Sequence, residues 1–179
     1  MTGLNQFDAP RILELCCGDG FFPANVYLNV EGADYVGCDL QESSIEYARK
    51  RLRARINDVK STGRFIVADI LEDMPCKDED LTNVFWFSAI YMFTEEQQRK
   101  ILGEVAARLK QRKGILSGSA LLSEVRKDKH WDYWIRLFDD EEELRALLKN
   151  YFENVYIGKT STKYSLFFMA SDGKLPYHN

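Results

Sequence analysis

Arg11-Ile12-Leu13-Glu14-Leu15-Cys16-Cys17-Gly18-Asp19-Gly20 is the stretch on which the reading of this chain turns. An apolar run with one acid inside it, Glu14, stops at a Gly-x-Gly turn, and Phe21-Phe22-Pro23 follows at once. Continuous apolar character over a short run predicts a strand buried on both faces, as in a parallel sheet. The turn then hands the chain to a helix, predicted over residues 22–30. Pro23 lies in its first turn, where a missing N–H costs nothing. In an open α/β sheet, small ligands bind at such strand-to-helix junctions.

Outward from this stretch, strand-like and helix-like patterns alternate. Strands are predicted at 11–17, 35–39, 64–69, 81–89 and 114–122. A helix with Ser43 and Glu46 as a capping box buries Ile45, Ala48, Leu52 and Ile56, leaving Arg49, Lys50, Arg51 and Arg53 as a solvated face. Another opens at Thr94 with the box Thr94–Gln97 and buries Ile101, Leu102, Val105 and Leu109. Asp139-Asp140-Glu141-Glu142 start a last helix, acids at its N-terminus, with Leu144, Leu147 and Leu148 inward. Two terminal strands, 154–159 and 165–170, are joined by a short polar linker and form a hairpin. The fold class is therefore α/β: a Rossmann-like, seven-stranded, mostly parallel sheet with helices on both faces and a C-terminal antiparallel hairpin.

At 179 residues the chain makes one domain, 1–179. Its net charge of −4 argues against a nucleic-acid partner, since such binders carry a basic excess. No apolar run is long enough to span a membrane, and Met1–Pro10 has no signal-peptide pattern, so a cytoplasmic place is expected. Cys16, Cys17, Cys38 and Cys76 show no metal-ligand spacing; they read as small buried hydrophobes in a reducing compartment, and no metal is expected.

Three acids define a constellation: Glu14 within the first strand, Asp39 at the end of the second and Asp69 at the end of the third. Parallel strands bring their C-terminal ends to one edge, so Asp39 and Asp69 reach the rim that carries Gly18 and Gly20. Asp39 stands about twenty residues past the turn, where a carboxylate accepts ribose hydroxyls. A dinucleotide-binding domain is the competing reading, but Pro23 occupies its third glycine position.

With these motifs the chain resembles the class I S-adenosylmethionine-dependent methyltransferases over residues 11–170. Glu14 to Gly20 is similar to that family's first motif, with Cys16 where a glycine usually stands. The resemblance implies S-adenosyl-L-methionine as cofactor. It gives Glu14, Cys16, Gly18 and Gly20 to the methionine end, Asp39 to the ribose, and Leu40, Asp69 and Ile70 to the adenine. Phe87 and Ser88, in Phe87-Ser88-Ala89-Ile90, match the fourth motif near the sulfonium. The family carries helices ahead of its first strand that cover the acceptor, and only ten residues precede Arg11 here. A longer natural N-terminus, an open pocket, or a partner chain, a second copy included, are the three readings of that difference.

The fourth motif lacks Asn-Pro-Pro-Tyr and a Pro-Cys pair, which with the acidic charge points to a small-molecule acceptor methylated on oxygen or nitrogen. Residues 123–138, rich in basic and aromatic side chains, are expected to form a lid on the acceptor side. His130 is the candidate base, with Tyr91 as a second candidate catalytic residue. Trp131, Tyr133 and Trp134 are read as lid packing or as a stacking surface. Arg126, Lys127 and Lys129 are read as solvated or as contacts for an anionic acceptor. A non-catalytic scaffold of the same fold is the alternative to an enzyme.

Overall fold

The computed structural model describes residues 3–25, 29–55, 62–77, 80–128 and 131–177. Seven strands form one sheet: β1 (Arg11–Leu15), β2 (Asp34–Asp39), β3 (Thr62–Val67), β4 (Asn83–Trp86), β5 (Ile115–Leu121), β6 (Asn154–Lys159) and β7 (Ser165–Ser171). Their order is β3-β2-β1-β4-β5-β7-β6. All neighbouring pairs are parallel except the two that involve β7. The insertion of an antiparallel β7 between β5 and β6 departs from the 3-2-1-4-5-6 order of dinucleotide-binding domains. It bears out the hairpin expected from the sequence.

Helices α1 (Phe21–Asn25), α2 (Glu42–Ala54), α3 (Glu95–Leu109) and α4 (Glu141–Lys149) connect or cover the strands. The strand pleat sends alternate residues to opposite faces. Ile12, Tyr35 and Phe85 pack with Ile45 and Ala48 of α2 on one face. Leu13, Leu15, Val36 and Val84 pack with α3 and α4 on the other, through Ile101, Leu102, Leu144 and Leu148. The predicted box at α3 is present in full: the Thr94 hydroxyl accepts from Gln97 N–H at 3.3 Å, and Gln97 Oε1 accepts from Thr94 N–H at 2.9 Å.

Three expectations change. The β1 and β4 strands are shorter than predicted; at their C-terminal ends Cys16 and Ser88 adopt left-handed backbone, φ 56° and 55°, which breaks the pleat. The Ser43–Glu46 box is absent: α2 begins at Glu42 with Gln41 as its cap residue, so Ser43 already lies inside the first turn. Asp39 brings that turn forward by accepting from Gln41 N–H at 2.9 Å. Finally, of the basic face of α2, Arg49 donates to the Phe65 carbonyl at 3.0 Å and Arg51 reaches Asp19, so neither is merely solvated.

Candidate functional site

Glu14 shows how the sheet supports the turn. Its side chain is 5% exposed. A buried carboxyl requires a donor, and Tyr35, from the neighbouring strand, donates its hydroxyl to Glu14 Oε2 at 2.6 Å. Gly37 is the residue paired with Glu14 across β1 and β2. A Cβ there would lie 2.6 Å from the Tyr35 hydroxyl, so glycine is what lets tyrosine reach the acid. Burial pushes the Glu14 carboxyl up to about 8, and the Tyr35 hydrogen bond offsets only part of this. Glu14 is thus enclosed beneath the turn and acts on it through the strand. Tyr35 and Gly37 were not singled out from the sequence. The signal was there: an acid in a buried strand needs a hydroxyl, and Tyr35 is the only one in the second strand.

Above Glu14 the chain makes its turn. Cys16, Gly18 and Gly20 all have positive φ, 56°, 55° and 68°. The two glycines adopt it freely; Cys16 does so against its Cβ, at a cost of about 1–2 kcal/mol. The turn therefore keeps its path without the glycine usual at position 16. Gly20 is packed, with an added Cβ falling 2.8 Å from the Ala48 Cβ, whereas nothing lies within 4 Å of an added Cβ at Gly18. Asp39 closes the turn from β2: Gly18 N–H donates to Asp39 Oδ2 at 2.9 Å. Arg51 closes it from α2, with Nη2 2.7 Å from Asp19 Oδ2 and its guanidinium 5.3 Å over the Phe21 ring. Burial, with the charges of Asp39, Glu14 and Asp69 around it, pushes the Cys16 thiol up to about 12. It is therefore protonated at neutral pH and no nucleophile.

Asp69 lies two residues past the end of β3, and its Oδ1 accepts from Leu71 N–H at 2.9 Å. Leu40, next to Asp39, is 65% exposed on the rim, while Ile70 points into the core with 7% exposure. Ile70 therefore supports the rim from beneath.

Phe87 and Ser88 follow β4. Phe87 stacks between Phe22 at 6.1 Å and Phe167 at 6.3 Å. Ser88 is exposed, and its N–H donates to Ser119 Oγ of β5 at 2.9 Å. The Tyr91 hydroxyl, half-buried and hydrogen-bonded to Ser88, has its pKa raised by burial and by the neighbouring Tyr133. It is a neutral hydroxyl, suited to orient a ligand rather than to take a proton. Residues 131–138 are fastened to this turn, since Ile135 and Arg136 N–H both donate to the Tyr91 carbonyl, at 2.9 and 3.1 Å. Arg136 also pairs with Glu143 at 2.7 Å. Trp134 is buried, 7% exposed, and Trp131 stands open at 48%. Trp134 thus packs inward, as the lid-packing reading expects, while Trp131 and Tyr133 stay exposed. His130 and Lys129 lie outside the described residues.

The carboxyl ends of β1, β2, β3 and β4 thus gather a glycine turn, two strand-end acids and a left-handed Ser88 on one rim. Residues 12–112, more than half of the chain, match the family model described as a methyltransferase domain. The chain belongs to this family, of the class I, S-adenosylmethionine-dependent kind. Solved structures agree on the fold. A PH0226 protein from Pyrococcus horikoshii is 22% identical, with a TM-score of 0.70 over 92% of this chain and 82% of that one. The magnesium protoporphyrin IX methyltransferase of Synechocystis, solved with bound SAH, is 13% identical, with a TM-score of 0.64 over 94% and 78%. The small RNA methyltransferase HEN1 is 17% identical, with a TM-score of 0.71 over 92% of this chain but only 24% of its own. No curated protein sequence matches the chain. Among the described residues, no helix is long and apolar enough to cross a membrane, and no three metal-binding side chains gather.

Proposed function

We propose that the chain binds S-adenosyl-L-methionine at the rim and transfers its methyl group to an oxygen or nitrogen of a small-molecule acceptor. The observation that carries this reading is the pairing of Asp39 with Gly18 at 2.9 Å, beside open space at Gly18. The residues fit the cofactor. Open space at Gly18 lets a ligand approach the backbone. Asp39 accepts two amide hydrogen bonds, and a carboxylate has about four acceptor positions, leaving two for ribose hydroxyls. Asp69 keeps acceptor capacity for an adenine amino group, with Leu40 as an apolar flank. Glu14 and Tyr35 hold the strand that aims the turn.

When bound, the cofactor supplies a methyl group already activated by its positive sulfur. The protein's part is then chiefly proximity and alignment. Phe87 and Ser88 border the reacting end, and the Tyr91 hydroxyl orients the acceptor. His130 is the proposed base for an acceptor that arrives protonated, on the strength of its place in the sequence. Asp39 and Asp69 on the rim, and a turn that keeps its left-handed path at Cys16, support a site that still binds cofactor; turnover separates methyl transfer from a scaffold. Calorimetry with S-adenosylmethionine and S-adenosylhomocysteine tests it, with binding expected for both. No heat and no thermal shift at millimolar cofactor would sink the proposal. Methyl incorporation from labelled cofactor would exclude the scaffold.

A further inference from the structure

A cavity opens on the same edge, between the segment that follows β5 and the turn that joins β6 to β7. Its volume is about 410 Å³, within the usual range for small-molecule sites. Resting on the methyl-transfer reading above, we infer that this cleft is the acceptor site and that its ligand is an uncharged, flat aromatic molecule of one or two rings.

The walls argue for a flat apolar ligand. Trp131, Tyr133 and Trp134 lie with ring centroids 5.5 to 6.4 Å apart, inclined to one another by 47° to 82°. Such a corner offers a ligand ring both a face and an edge, the two favoured aromatic geometries. Trp134 is fixed at the back of it, because its carbonyl accepts from Arg126 Nη2 at 2.7 Å.

The charges argue for a neutral one. Asp128 and Lys163 stand on the polar side, and Tyr164 joins them. Lys163 Nζ donates to the Tyr164 hydroxyl at 2.8 Å, and that hydroxyl donates to the Asp128 carboxylate. One positive and one negative charge thus meet through a single hydroxyl, favouring neither a cation nor an anion. Among the described residues, the other nearby cations have partners: Arg126 holds the Trp134 carbonyl, and Lys127 lies 3.5 Å from Glu124. An anionic acceptor, one of the readings of this segment from the sequence, finds little here. A polynucleotide would want the same aromatic surfaces but also an unpaired basic track.

Tyr91 links the back wall of the cleft to the donor side. Its ring packs against the group formed by Val125, Trp134 and Leu137, while its hydroxyl meets Ser88 at the end of β4.

The three tryptophans give the readout. In nitrogen-15-labelled protein, the indole N–H signals of Trp86, Trp131 and Trp134 are followed while 2-naphthol, 2-naphthoate, a naphthyl trimethylammonium salt or a ten-nucleotide RNA is added. Each series is run with and without S-adenosylhomocysteine. The expected result is movement of the Trp131 and Trp134 signals by 2-naphthol, with the buried Trp86 unmoved. Affinity for 2-naphthol should exceed that for either charged naphthalene at least tenfold. Trp131→Ala and Tyr133→Ala, both at exposed rings, should each weaken it tenfold or more. Tighter binding of a charged naphthalene or of RNA overturns the inference. So does an unmoved Trp131 signal at millimolar 2-naphthol when S-adenosylhomocysteine is bound. Naphthol seated in a protein that binds no S-adenosylhomocysteine would remove the methyl-transfer reading and uphold the ligand class of the cleft.

Discussion

At the ends of β1, β2 and β3 the groups facing the rim are backbone amides and short carboxylates, held in place within a residue or two of a strand. At the ends of β4 and β5 they are aromatic rings carried on two short segments outside the strands and long helices, residues 90–93 and 131–138. The first region takes its geometry from the pleat and register of the sheet. Asp39 meets Gly18 because the β1 and β2 strands run in parallel and Leu15 pairs with Cys38. The second takes its geometry from side-chain packing and from a few tertiary bonds, such as those of Arg136 to Glu143 and of residues 135 and 136 to the Tyr91 carbonyl. A proposed donor site can rest on the first kind of construction. A proposed acceptor site, which sets specificity, is better served by the second.

The largest expected effect tests how far the donor region depends on its buried acid. The folded-state pKa of Glu14, about 8, lies above the ordinary carboxylate value near 4.5, so the folded chain binds the proton more tightly than the unfolded chain. Stability is then full below about pH 4.5, falls as pH rises through the window, and levels off above about pH 8. The loss is on the order of 5 kcal/mol across the window. Urea midpoints from pH 5 to 8 should show this slope, and Glu14→Gln, which still accepts from Tyr35, should flatten it. An identical slope in the variant would place the titration elsewhere.

Next come the two glycines of the turn, which separate packing from conformation. Gly20→Ala combines a left-handed φ with a 2.8 Å collision and should cost about 3 kcal/mol in denaturant unfolding. Gly18→Ala meets open space and should cost only about 1 kcal/mol of strain, yet lower cofactor affinity because its Cβ enters the site. Equal losses of stability would mean that the neighbours of Gly20 yield.

Asp39→Ala should weaken S-adenosylhomocysteine by about 1–3 kcal/mol, the range for hydrogen bonds to a charged group. Trp131→Ala, in the other region, should leave that affinity as it was. Calorimetry on the pair sharpens the division, and a matching loss in both would dissolve it. The smallest effect belongs to Arg51→Ala. Its pair with Asp19 is largely open to solvent, so the thermal midpoint should drop by the equivalent of less than about 1 kcal/mol, and less still at high salt.

The different construction of the two regions also explains what the sequence disclosed. Parallel strands and their end acids follow from local apolar runs and turn residues, so the seven-stranded sheet, the hairpin and the placement of Asp39 on the rim were legible. The same local rules located the Thr94–Gln97 box. They misplaced the start of α2, because Asp39 competes for the Gln41 amide and pulls the helix boundary forward, which no propensity of Ser43 records. They missed the Tyr35–Glu14 bond and the Arg51–Asp19 clamp, which join residues 21 and 32 positions apart. On the acceptor side, the composition of residues 123–138 announced aromatic rings. Which ring would be buried and which left open depends on where Phe138 and Arg136 are anchored, and that is decided by tertiary contact alone.

The antiparallel β7 has a consequence for how such a protein diversifies. Because this strand runs back between β5 and β6, the turn at Thr160–Tyr164 returns to the rim, where the Tyr164 carbonyl accepts from Leu122 N–H at 2.9 Å. A hairpin turn tolerates insertions and deletions without disturbing the ladders on either side. This one delivers Lys163 and Tyr164 to the aromatic cleft while β1, β2 and β3 lie on the far side of the sheet. Lengthening or rewriting a few residues there gives evolution, or an engineer, a means of altering what the cleft accepts while leaving the glycine turn and its acids untouched.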